Sequence, residues 1–384
     1  MSATATQRVY AERRPAGFPR CALVTNLCPP YREPIFRRLT KDLGVDLFLF
    51  GRGALRFWDP GALECEIPLS LPQPSGGQIA RWRYLRKLTR TIDEGPYDVV
   101  IKCINGKPEL ASVWWATRRS KKRFVLWTGL WHHPRGPVHM AGYPFLRHIY
   151  RDADAVCVYG NHVRDYLITK GVRNEDIFVV GQPTPALGEP VSGSLPPGTS
   201  PYFIFVGRLA PEKGLGYLIR ALESLQPEPV TLVLVGSGPE EARLRSLAAR
   251  LGPSQKVIFM GTSSGPSLAR LYHDARALVL PSITTASMRE QWGLVVNEAM
   301  ALGVPVVATT AVGAAAGGLV EDGVTGMVVP ERSPEGLARS LRALLKEPEL
   351  GKRLGETGRR RVAEISYEKM FQRFKDAILH AASR

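Results

Sequence analysis

Short runs of apolar and β-branched residues alternate with longer stretches of helical periodicity along most of the chain. This alternation is typical of βαβ units, in which buried parallel strands are covered by helices. The pattern therefore predicts an α/β protein with two doubly wound sheets. The predicted strands are 21–27, 45–50, 98–103, 123–127, 155–159 and 177–180 in the first half, and 202–206, 230–235, 257–260, 277–280 and 304–308 in the second.

Residues 182–201 are rich in proline, with glycine and serine, and show no apolar periodicity, which is typical of a linker. This predicts an N-terminal domain at 18–181, a linker and hinge at 182–201 and a C-terminal domain at 202–365. After Pro330 the pattern is helical in three pieces, which begin near Ser333, Pro348 and Ser366. We expect the last helix, 366–384, to pack back on the first domain.

Composition narrows the class of protein. The 384 residues suit two domains, because one domain usually has about 100 to 200 residues. No run of about 18 apolar residues occurs, and the first 17 residues lack the apolar core of a secretory signal. The five cysteines are scattered and form no CxxC pair, which argues against a disulfide framework or a zinc site and favours a reducing cytoplasmic setting.

The net charge of the chain indicates what kind of partner it binds. Lysine and arginine number 51 against 35 acidic residues, which gives a net charge of +16. An anionic partner is expected, and nucleic acid, an anionic membrane surface and a phosphorylated substrate all satisfy this expectation.

The stretch LPSITTASMREQWGLVVNEAMALGVP (280–305) is the richest in candidate chemistry. It leads from a predicted strand into a helix, and ligands of open α/β sheets bind at the carboxyl ends of the strands. Glu290 lies just before the helix and Glu298 within it, so the two can meet different parts of one extended ligand. The main-chain amides of Gly293 and Leu294 could hold a phosphate. The alternative is that Glu290 caps the helix and Glu298 lies on a solvated face.

Two other strand ends carry candidate ligand groups. FVGRLAPEKGL (205–215) places Arg208 and Lys213 before a helix, where two cations suit a diphosphate, although they could equally be ordinary surface cations. LVGSGPEEARL (234–244) has a glycine-rich turn at Gly236 but lacks the third glycine of a dinucleotide fingerprint. The first strand is followed by neither GxGxxG nor GxxxxGK[ST], which argues against a dehydrogenase or a P-loop ATPase.

In this order, the three stretches resemble the C-terminal half of the retaining glycosyltransferases with the GT-B fold, the glycosyl transferases group 1 family. The resemblance covers about 202–366, and its most specific part is Glu290 with Glu298, which match the family's E-x7-E motif. It implies two Rossmann-like, doubly wound domains that face each other across a cleft, with C-terminal helices. The C-terminal domain would bind a nucleotide sugar, and the N-terminal domain the acceptor.

The resemblance also implies roles for single residues. Arg208 and Lys213 match the cations on the donor diphosphate, Glu298 the carboxylate on the ribose and Glu290 the carboxylate that faces the transferred sugar. Gly293 and Leu294 match the amides on the diphosphate, and the loops at Gly236, Gly261 and Thr262 would line the base. Cations and amides aimed at the leaving diphosphate stabilise its growing charge, so neither a metal ion nor a further cofactor is expected. The triplet DAD at 152–154 is interpreted as a turn and not as a metal site.

The N-terminal half matches less closely. His132 and His133, in WTGLWHHPRGP (127–137), follow a predicted strand, and relatives often have a histidine near this position that contacts the donor sugar or assists transfer. A structural role is the alternative, and which of the two faces the cleft is open. The first loop has Tyr31 and Arg32 where many relatives have paired glycines, so acceptor handling there departs from the family.

A basic and aromatic stretch at 81–90 lies in the predicted acceptor domain. On a helix it could rest on anionic lipid, with aromatic groups in the interface and cations on the headgroups. A solvated helix face with core aromatics is the alternative. The residues assigned to the acceptor and membrane side are Tyr31, Arg32, Arg81, Trp82, Arg83, Arg86 and Lys87.

The expected function is metal-independent, retaining transfer of a hexose from a UDP or GDP sugar to a glycan or lipid-linked acceptor, in polysaccharide, lipopolysaccharide or glycolipid biosynthesis. We expect the enzyme on the cytoplasmic face of the membrane, and the sequence leaves its oligomeric state open. One alternative is another GT-B enzyme, such as a nucleotide-sugar epimerase or a phosphorylase, whose catalytic groups are not identifiable. A basic nucleic-acid-binding protein would leave Glu290 and Glu298 without a purpose and lacks a known motif.

Overall fold

The computed structural model describes residues 14–51, 67, 69–71, 77–191 and 202–384. Within these ranges the strands form a seven-stranded and a six-stranded sheet, and all paired neighbours are parallel. The α/β class with two doubly wound sheets, predicted from the sequence, is confirmed.

The first sheet has the strand order β3-β2-β1-β4-β5-β6-β7. Its order reverses between β1 and β4, which is therefore its topological switch point. The strands are β1 Cys21–Thr25, β2 Asp46–Leu49, β3 Leu69–Leu71, β4 Val99–Cys103, β5 Arg123–Thr128, β6 Ala155–Val158 and β7 Ile177–Val179, and the helices are α1 Glu33–Leu43, α2 Gln78–Glu94, α3 Lys107–Arg119, α4 Pro137–Asp152 and α5 Asn161–Ile168.

The second sheet repeats this plan with the order β10-β9-β8-β11-β12-β13, so its switch point lies between β8 and β11. The strands are β8 Tyr202–Val206, β9 Val230–Val235, β10 Gln255–Gly261, β11 Ala275–Leu280, β12 Val306–Thr309 and β13 Met327–Val329. The helices that follow β8 are α6 Leu215–Glu223, α7 Glu241–Ala248, α8 Gly265–His273, α9 Leu294–Ala301, α10 Gly313–Ala316, α11 Pro334–Lys346, α12 Pro348–Val362 and α13 Tyr367–Ala382.

Every predicted strand is present, with ends that shift by at most two residues. The sequence reading missed β3 and β13, because three residues are too few to give a recognisable pattern. The last three helices begin where the sequence predicts them. Ser333 and Ser366 cap α11 and α13, since their hydroxyls accept hydrogen bonds from the amides of Gly336 and Lys369.

The last helix of the chain lies on the first sheet. Helices α2 to α5 cover one face of this sheet, and α1 covers the other together with α13. The ring of Phe374 in α13 meets Trp127 of β5 edge-on at 4.9 Å between centroids. At the end of the chain, the Asp176 carboxylate accepts hydrogen bonds from His380 and Arg384.

The predicted linker, 182–201, follows β7, and its part at 192–201 lies outside the described residues. Over the described ranges, no helix combines the length and the apolar character needed to cross a membrane.

Candidate active site

The switch point of the second sheet gathers three of the predicted donor residues. Arg208 and Lys213 follow β8, and Glu290 follows the neighbouring β11. The Lys213 ammonium forms an ion pair with the Glu290 carboxylate, although 77 residues separate them in the chain. Both side chains are largely buried, with exposed fractions of 14% and 19%. The sequence predicted each residue, and the structure places the cation directly on the carboxylate.

Further contacts fix this pair. The hydroxyl of Ser282 donates a hydrogen bond to the same Glu290 oxygen at 3.2 Å. Arg208 is held by Glu212 at 2.8 Å, and the main-chain oxygen of Glu212 accepts a hydrogen bond from the amide of Ile283. The loop after β8 is therefore tied to residues 281–293, which we call the glutamate loop.

The alternative in which Glu290 caps a helix does not hold. Gly293 occupies the N-cap position of α9 without a side-chain hydrogen bond, and its φ is 91°, a conformation that favours glycine. A Cβ at this position would also lie 2.8 Å from Leu280. The helix then begins at Leu294, so the amides of these two residues lie at the positive end of α9.

Glu298 lies inside α9, and its carboxylate accepts a hydrogen bond from the hydroxyl of Tyr272 at 3.0 Å. Burial raises the pKa of Glu298, and the hydrogen bond from Tyr272 opposes this rise. The carboxylate is therefore held in a fixed place by a buried tyrosine, and the interpretation of Glu298 as a fully solvated residue is wrong. Tyr272, in α8, had no sequence signal beyond its apolar neighbours.

Glycines mark the carboxyl ends of the strands beside this pair. Gly236 follows β9 with a φ of 131°, and a Cβ there would collide with the main-chain oxygen of Gly207, which follows β8. The Gly236 amide donates a hydrogen bond to the oxygen of Gly261 at 2.6 Å. Thr262 comes next and is exposed. We call Gly207, Gly236 and Gly261 the glycine edge, where the main chains of neighbouring strand ends approach each other without side chains between them.

The two predicted histidines have different surroundings. The ring of His133 contacts the main-chain oxygen of His139 at 2.9 Å and packs on Tyr143, so it is fixed against α4. His132 interacts instead with the second domain, since Arg289 and the main chain of Thr285 affect its ring. Burial and then nearby arginines lower the pKa of His132. Of the two, His132 is the one beside the glutamate loop.

Two residues that the sequence reading overlooked connect the domains. The indole Nε1 of Trp131 donates a hydrogen bond to the main-chain oxygen of Glu290 at 2.9 Å. The Nε2 of His162 contacts the main-chain oxygen of Gln291 at 3.0 Å. The available signal was position, because each residue follows the carboxyl end of a strand of the first sheet.

The loop after β1 directs Arg32 inward. Its guanidinium donates a hydrogen bond to the hydroxyl of Tyr159 and lies 4.4 Å from the ring of Trp127. Tyr31 offers its main-chain oxygen to the hydroxyl of Tyr367 at 2.7 Å. Arg32, which the sequence assigned to the acceptor and membrane side, therefore points inward at the carboxyl ends of β5 and β6. It does not lie on an exposed surface that could contact a membrane.

A buried lysine occupies the switch point of the first sheet. Lys102 is fully buried, and its ammonium donates hydrogen bonds to the main-chain and side-chain oxygens of Asn105 at 2.7 and 3.3 Å. The amide nitrogen of Asn105 then donates to the side-chain oxygen of Asn26 at 2.6 Å. This network joins the ends of β1 and β4. Burial lowers the pKa of Lys102 to about 7.

The basic stretch lies on α2, as predicted, and its residues divide into two groups. Tyr84, Leu85 and Leu88 are buried in the core, whereas Arg83, Arg86 and Lys87 are exposed. Arg81 forms an ion pair with the buried carboxylate of Glu109. The core-aromatic alternative therefore holds for Tyr84 and fails for Trp82, which is 65% exposed.

Apolar residues of two other helices lie beside the exposed cations of α2. Trp115 of α3 and Phe145 of α4 are 63% and 44% exposed and line a groove of about 1210 Å³ together with Arg86 and Lys87. We call Trp82, Trp115 and Phe145 the exposed aromatic face.

The second basic cluster, at 118–123, makes internal contacts. Arg118 pairs with Asp152 and Asp154, the two acids of the DAD triplet, and Lys122 donates to the main-chain oxygen of Gly95 at 2.8 Å. Arg118 and Lys122 therefore contribute to the packing of the first domain beside β5. Both carboxylates of the DAD triplet at 152–154 form ion pairs with Arg118.

Two family models match the chain. Residues 192–361 match the model of the glycosyl transferases group 1, and residues 7–182 match that of the glycosyl transferase 4-like domain. Among the curated relatives, the chain is 37% identical to an uncharacterized glycosyltransferase of Methanocaldococcus jannaschii, over 38% of this chain and 35% of the relative. It is 36% identical to the D-inositol 3-phosphate glycosyltransferase of Streptomyces bingchenggensis, over 43% and 37%. The chain thus spans little more than a third of the relatives it matches.

Solved structures extend the likeness to the whole fold. Anabaena HepE, in complex with UDP and glucose, superposes with a TM-score of 0.72 over 93% of this chain and 98% of HepE, at 20% identity. Both halves therefore have their counterparts in one two-domain architecture. The chain thus carries a glycosyl transferase 4-like domain followed by a glycosyl transferases group 1 domain, in the GT-B fold.

Proposed function

We propose that this protein is a retaining glycosyltransferase that moves a hexosyl unit from a nucleotide diphosphate sugar to a glycan or lipid-linked acceptor. The observation that carries the proposal is the contact of Lys213 with Glu290 at the switch point of the second sheet, where open α/β sheets bind ligands. A cation for a diphosphate and a carboxylate for a sugar lie side by side there. In this proposal transfer needs neither a metal ion nor a further cofactor.

Departure of the nucleoside diphosphate is the step that the site assists. Negative charge grows on the diphosphate as the glycosidic bond breaks, and groups fixed in a half-buried site stabilise this charge strongly. Arg208, Lys213 and the amides of Gly293 and Leu294 have this role. The Glu298 carboxylate accepts a hydrogen bond from a ribose hydroxyl, and the glycine edge leaves room for the base of the nucleotide.

The ion pair suggests how donor binding prepares Glu290. A bound diphosphate competes with Glu290 for Lys213, because its oxygens carry more negative charge than one carboxylate. The Glu290 oxygen released in this exchange is then available to a hydroxyl of the transferred sugar. Binding of the leaving group and binding of the sugar are coupled through Lys213.

The acceptor and the membrane belong to the first domain in this proposal. The exposed aromatic face carries rings that suit the membrane interface, and Arg83, Arg86 and Lys87 beside it suit anionic headgroups. A lipid-linked acceptor at the cytoplasmic face would reach the cleft from this side, in polysaccharide, lipopolysaccharide or glycolipid biosynthesis.

Thermal unfolding with nucleotides tests the donor site. UDP, GDP, ADP, UDP-glucose and GDP-mannose are added at about 1 mM with EDTA, since typical KM values reach this range. A ligand at 100 times its Kd stabilises the native state by about 2.7 kcal/mol. We expect one base to raise Tm in the wild type and in the control Glu356→Gln, a change of an exposed glutamate on α12, and not in Glu298→Gln. If none of these nucleotides raises Tm, the proposal fails.

Stereochemistry is tested with the donor that this panel identifies. Proton NMR of the first product shows whether its anomeric configuration equals that of the donor. Inversion would contradict the retaining mechanism while leaving the donor site intact.

Sedimentation with vesicles tests the membrane surface. We expect binding to phosphatidylglycerol vesicles and not to phosphatidylcholine vesicles, with loss at high salt because charges contribute. The double variant Trp115→Ala, Phe145→Ala should not sediment. Leu379→Ala, which changes an apolar residue with a similar exposure of 41% on α13, should behave as wild type. Equal sedimentation of both variants would refute this assignment.

A further inference from the structure

The glutamate loop is held from across the cleft. Trp131, in the loop after β5, donates its indole N–H to the main-chain oxygen of Glu290 at 2.9 Å. His162, at the start of α5, hydrogen bonds the main-chain oxygen of Gln291 at 3.0 Å. Both donors belong to the first sheet's domain, and both acceptors belong to the second domain.

The main-chain oxygen of Glu290 accepts hydrogen bonds from both domains. It also accepts a hydrogen bond from the amide of Gly313 at 3.1 Å, so one donor reaches it from each side. The carboxylate of the same residue meets Lys213 and Ser282. The position of this carboxylate therefore depends on a main chain that both domains hold.

Rigid rings surround these hydrogen bonds. Trp131 and His162 meet edge-on with centroids 4.9 Å apart, and the Arg289 guanidinium lies 3.6 Å from the ring centre of Trp131. His162 also packs near Trp292, at 5.9 Å. Small glycines permit this fit, because a Cβ at Gly317 would lie only 2.8 Å from the His162 ring nitrogen.

The contact continues to the hinge. Trp292 donates its indole N–H to the side-chain oxygen of Asn297 at 2.8 Å, and the Asn297 amide nitrogen donates to the main-chain oxygen of Gln182 at 3.1 Å. Gln182 is the first residue of the predicted linker. The loop thus lies between contacts to the opposite domain and contacts to the segment about which the domains would move.

We propose that Trp131 and His162 are positioning residues that place the Glu290 carboxylate through the main chain of Glu290 and Gln291, and that they do so only when the domains are closed. Domain opening breaks both hydrogen bonds and leaves Glu290 with the contacts of its own domain. Closure of the two domains over the donor then places the Glu290 carboxylate at the same time. This inference rests on the proposed function of Glu290.

Three variants separate hydrogen bonding from packing. Trp131→Phe keeps an aromatic ring and removes the N–H, and His162→Phe does the same at the second contact. His162→Gln keeps a donor. With UDP-glucose hydrolysis as the probe reaction, we expect both Phe variants to lower kcat about fivefold to tenfold while KM changes less than about twofold, since one hydrogen bond is lost in each. His162→Gln should recover most of this loss.

A double-mutant cycle shows whether Trp131 acts through Glu290. On a Glu290→Gln background, Trp131→Phe should lower the residual kcat by less than about twofold, because the group that it positions is already altered. Independent factors that multiply, or an increase in KM with kcat unchanged, would overturn the inference.

Hydrogen exchange gives an answer that needs no substrate. Amides of residues 286–293 should exchange at least about fivefold faster in Trp131→Phe and His162→Phe than in wild type, and those of β9 should be unchanged. Unchanged exchange at 286–293 would refute the holding of the loop. If no nucleotide stabilises the wild type, the proposed function fails, whereas the exchange rates still decide this structural part.

Discussion

His162 makes the stability of this protein depend on acidity in a predictable direction. The residue is 7% exposed, and its Nε2 faces the main-chain oxygen of Gln291, which can only accept a hydrogen bond. The proton of the neutral ring therefore lies on Nε2. The other nitrogen, Nδ1, is buried and has no hydrogen-bond partner among the described residues. A second proton would sit there without an acceptor.

Burial lowers the pKa of His162 to about 4 from the ordinary 6.5. Arg289 contributes in the same direction, and the hydrogen bond to Gln291 and the charge of Asp165 oppose it. Because the folded pKa is the lower one, the unfolded chain takes up the proton first as the pH falls. The stability is therefore complete above pH 6.5 and is lost between 6.5 and about 4.

The size of the loss follows from these values. At pH 5 the ring in the folded protein is still neutral. In the unfolded chain the ring is protonated, because pH 5 lies 1.5 units below its ordinary pKa of 6.5. Each such unit corresponds to about 1.4 kcal/mol, so His162 alone should cost the wild type about 2 kcal/mol between pH 7.5 and pH 5.

Urea unfolding at the two pH values measures this difference. His162→Gln keeps a donor to Gln291 and does not titrate, so its free energy of unfolding should fall by about 2 kcal/mol less than that of the wild type. His273→Gln, which removes a histidine whose side chain is 63% exposed, serves as the control and should follow the wild type. Parallel losses in wild type and His162→Gln would refute the reasoning.

Three further variants test other parts of the structure. Gly236→Ala places a Cβ against the main-chain oxygen of Gly207 at a positive φ, so we expect Tm to fall with a loss of about 1 to 3 kcal/mol and calorimetry to show weaker nucleotide binding. Burial lowers the pKa of Lys102 to about 7, so the charge penalty is fully present below pH 7 and relaxes as the pH rises. Urea unfolding should show that the wild type gains about 2 kcal/mol relative to Lys102→Met between pH 7 and pH 9, and equal gains would contradict this. Asp176→Asn weakens the ion pair to Arg384, and we expect the main-chain amides of residues 380–384 to exchange hydrogen faster than in the wild type.

Periodicity and strand ends predicted the two sheets and singled out candidate residues that the structure brings together. The long apolar runs of β8 and β9 are buried on both sides, and such runs are visible in a sequence without any partner. Lys213 and Glu290 could be chosen as candidates because each lies in a loop between a predicted strand and the next helix. Their contact is a consequence of the neighbouring positions of β8 and β11.

Contacts between the domains could not be predicted in the same way. Trp131 and His162 act through main-chain carbonyls of the glutamate loop, and a carbonyl acceptor leaves no trace in residue identity. The inward direction of Arg32 depends on the ring of Trp127 in β5 and on the hydroxyl of Tyr159, which follows β6. A local pattern cannot show how such distant residues meet.

The position of α13 has a consequence for the synthesis of this protein. Most of the first domain is synthesised first, yet its outer layer includes Phe374, which a ribosome adds only after all strands of the second sheet. Until then the apolar surface around Trp127 is covered by α1 alone, so the first domain to emerge is the last to be completed. Gly181 lies against Ile365, so the two segments that cross between the domains touch each other. Synthesis of α13, and not of the first half, is therefore the step at which the packing of the first domain is completed.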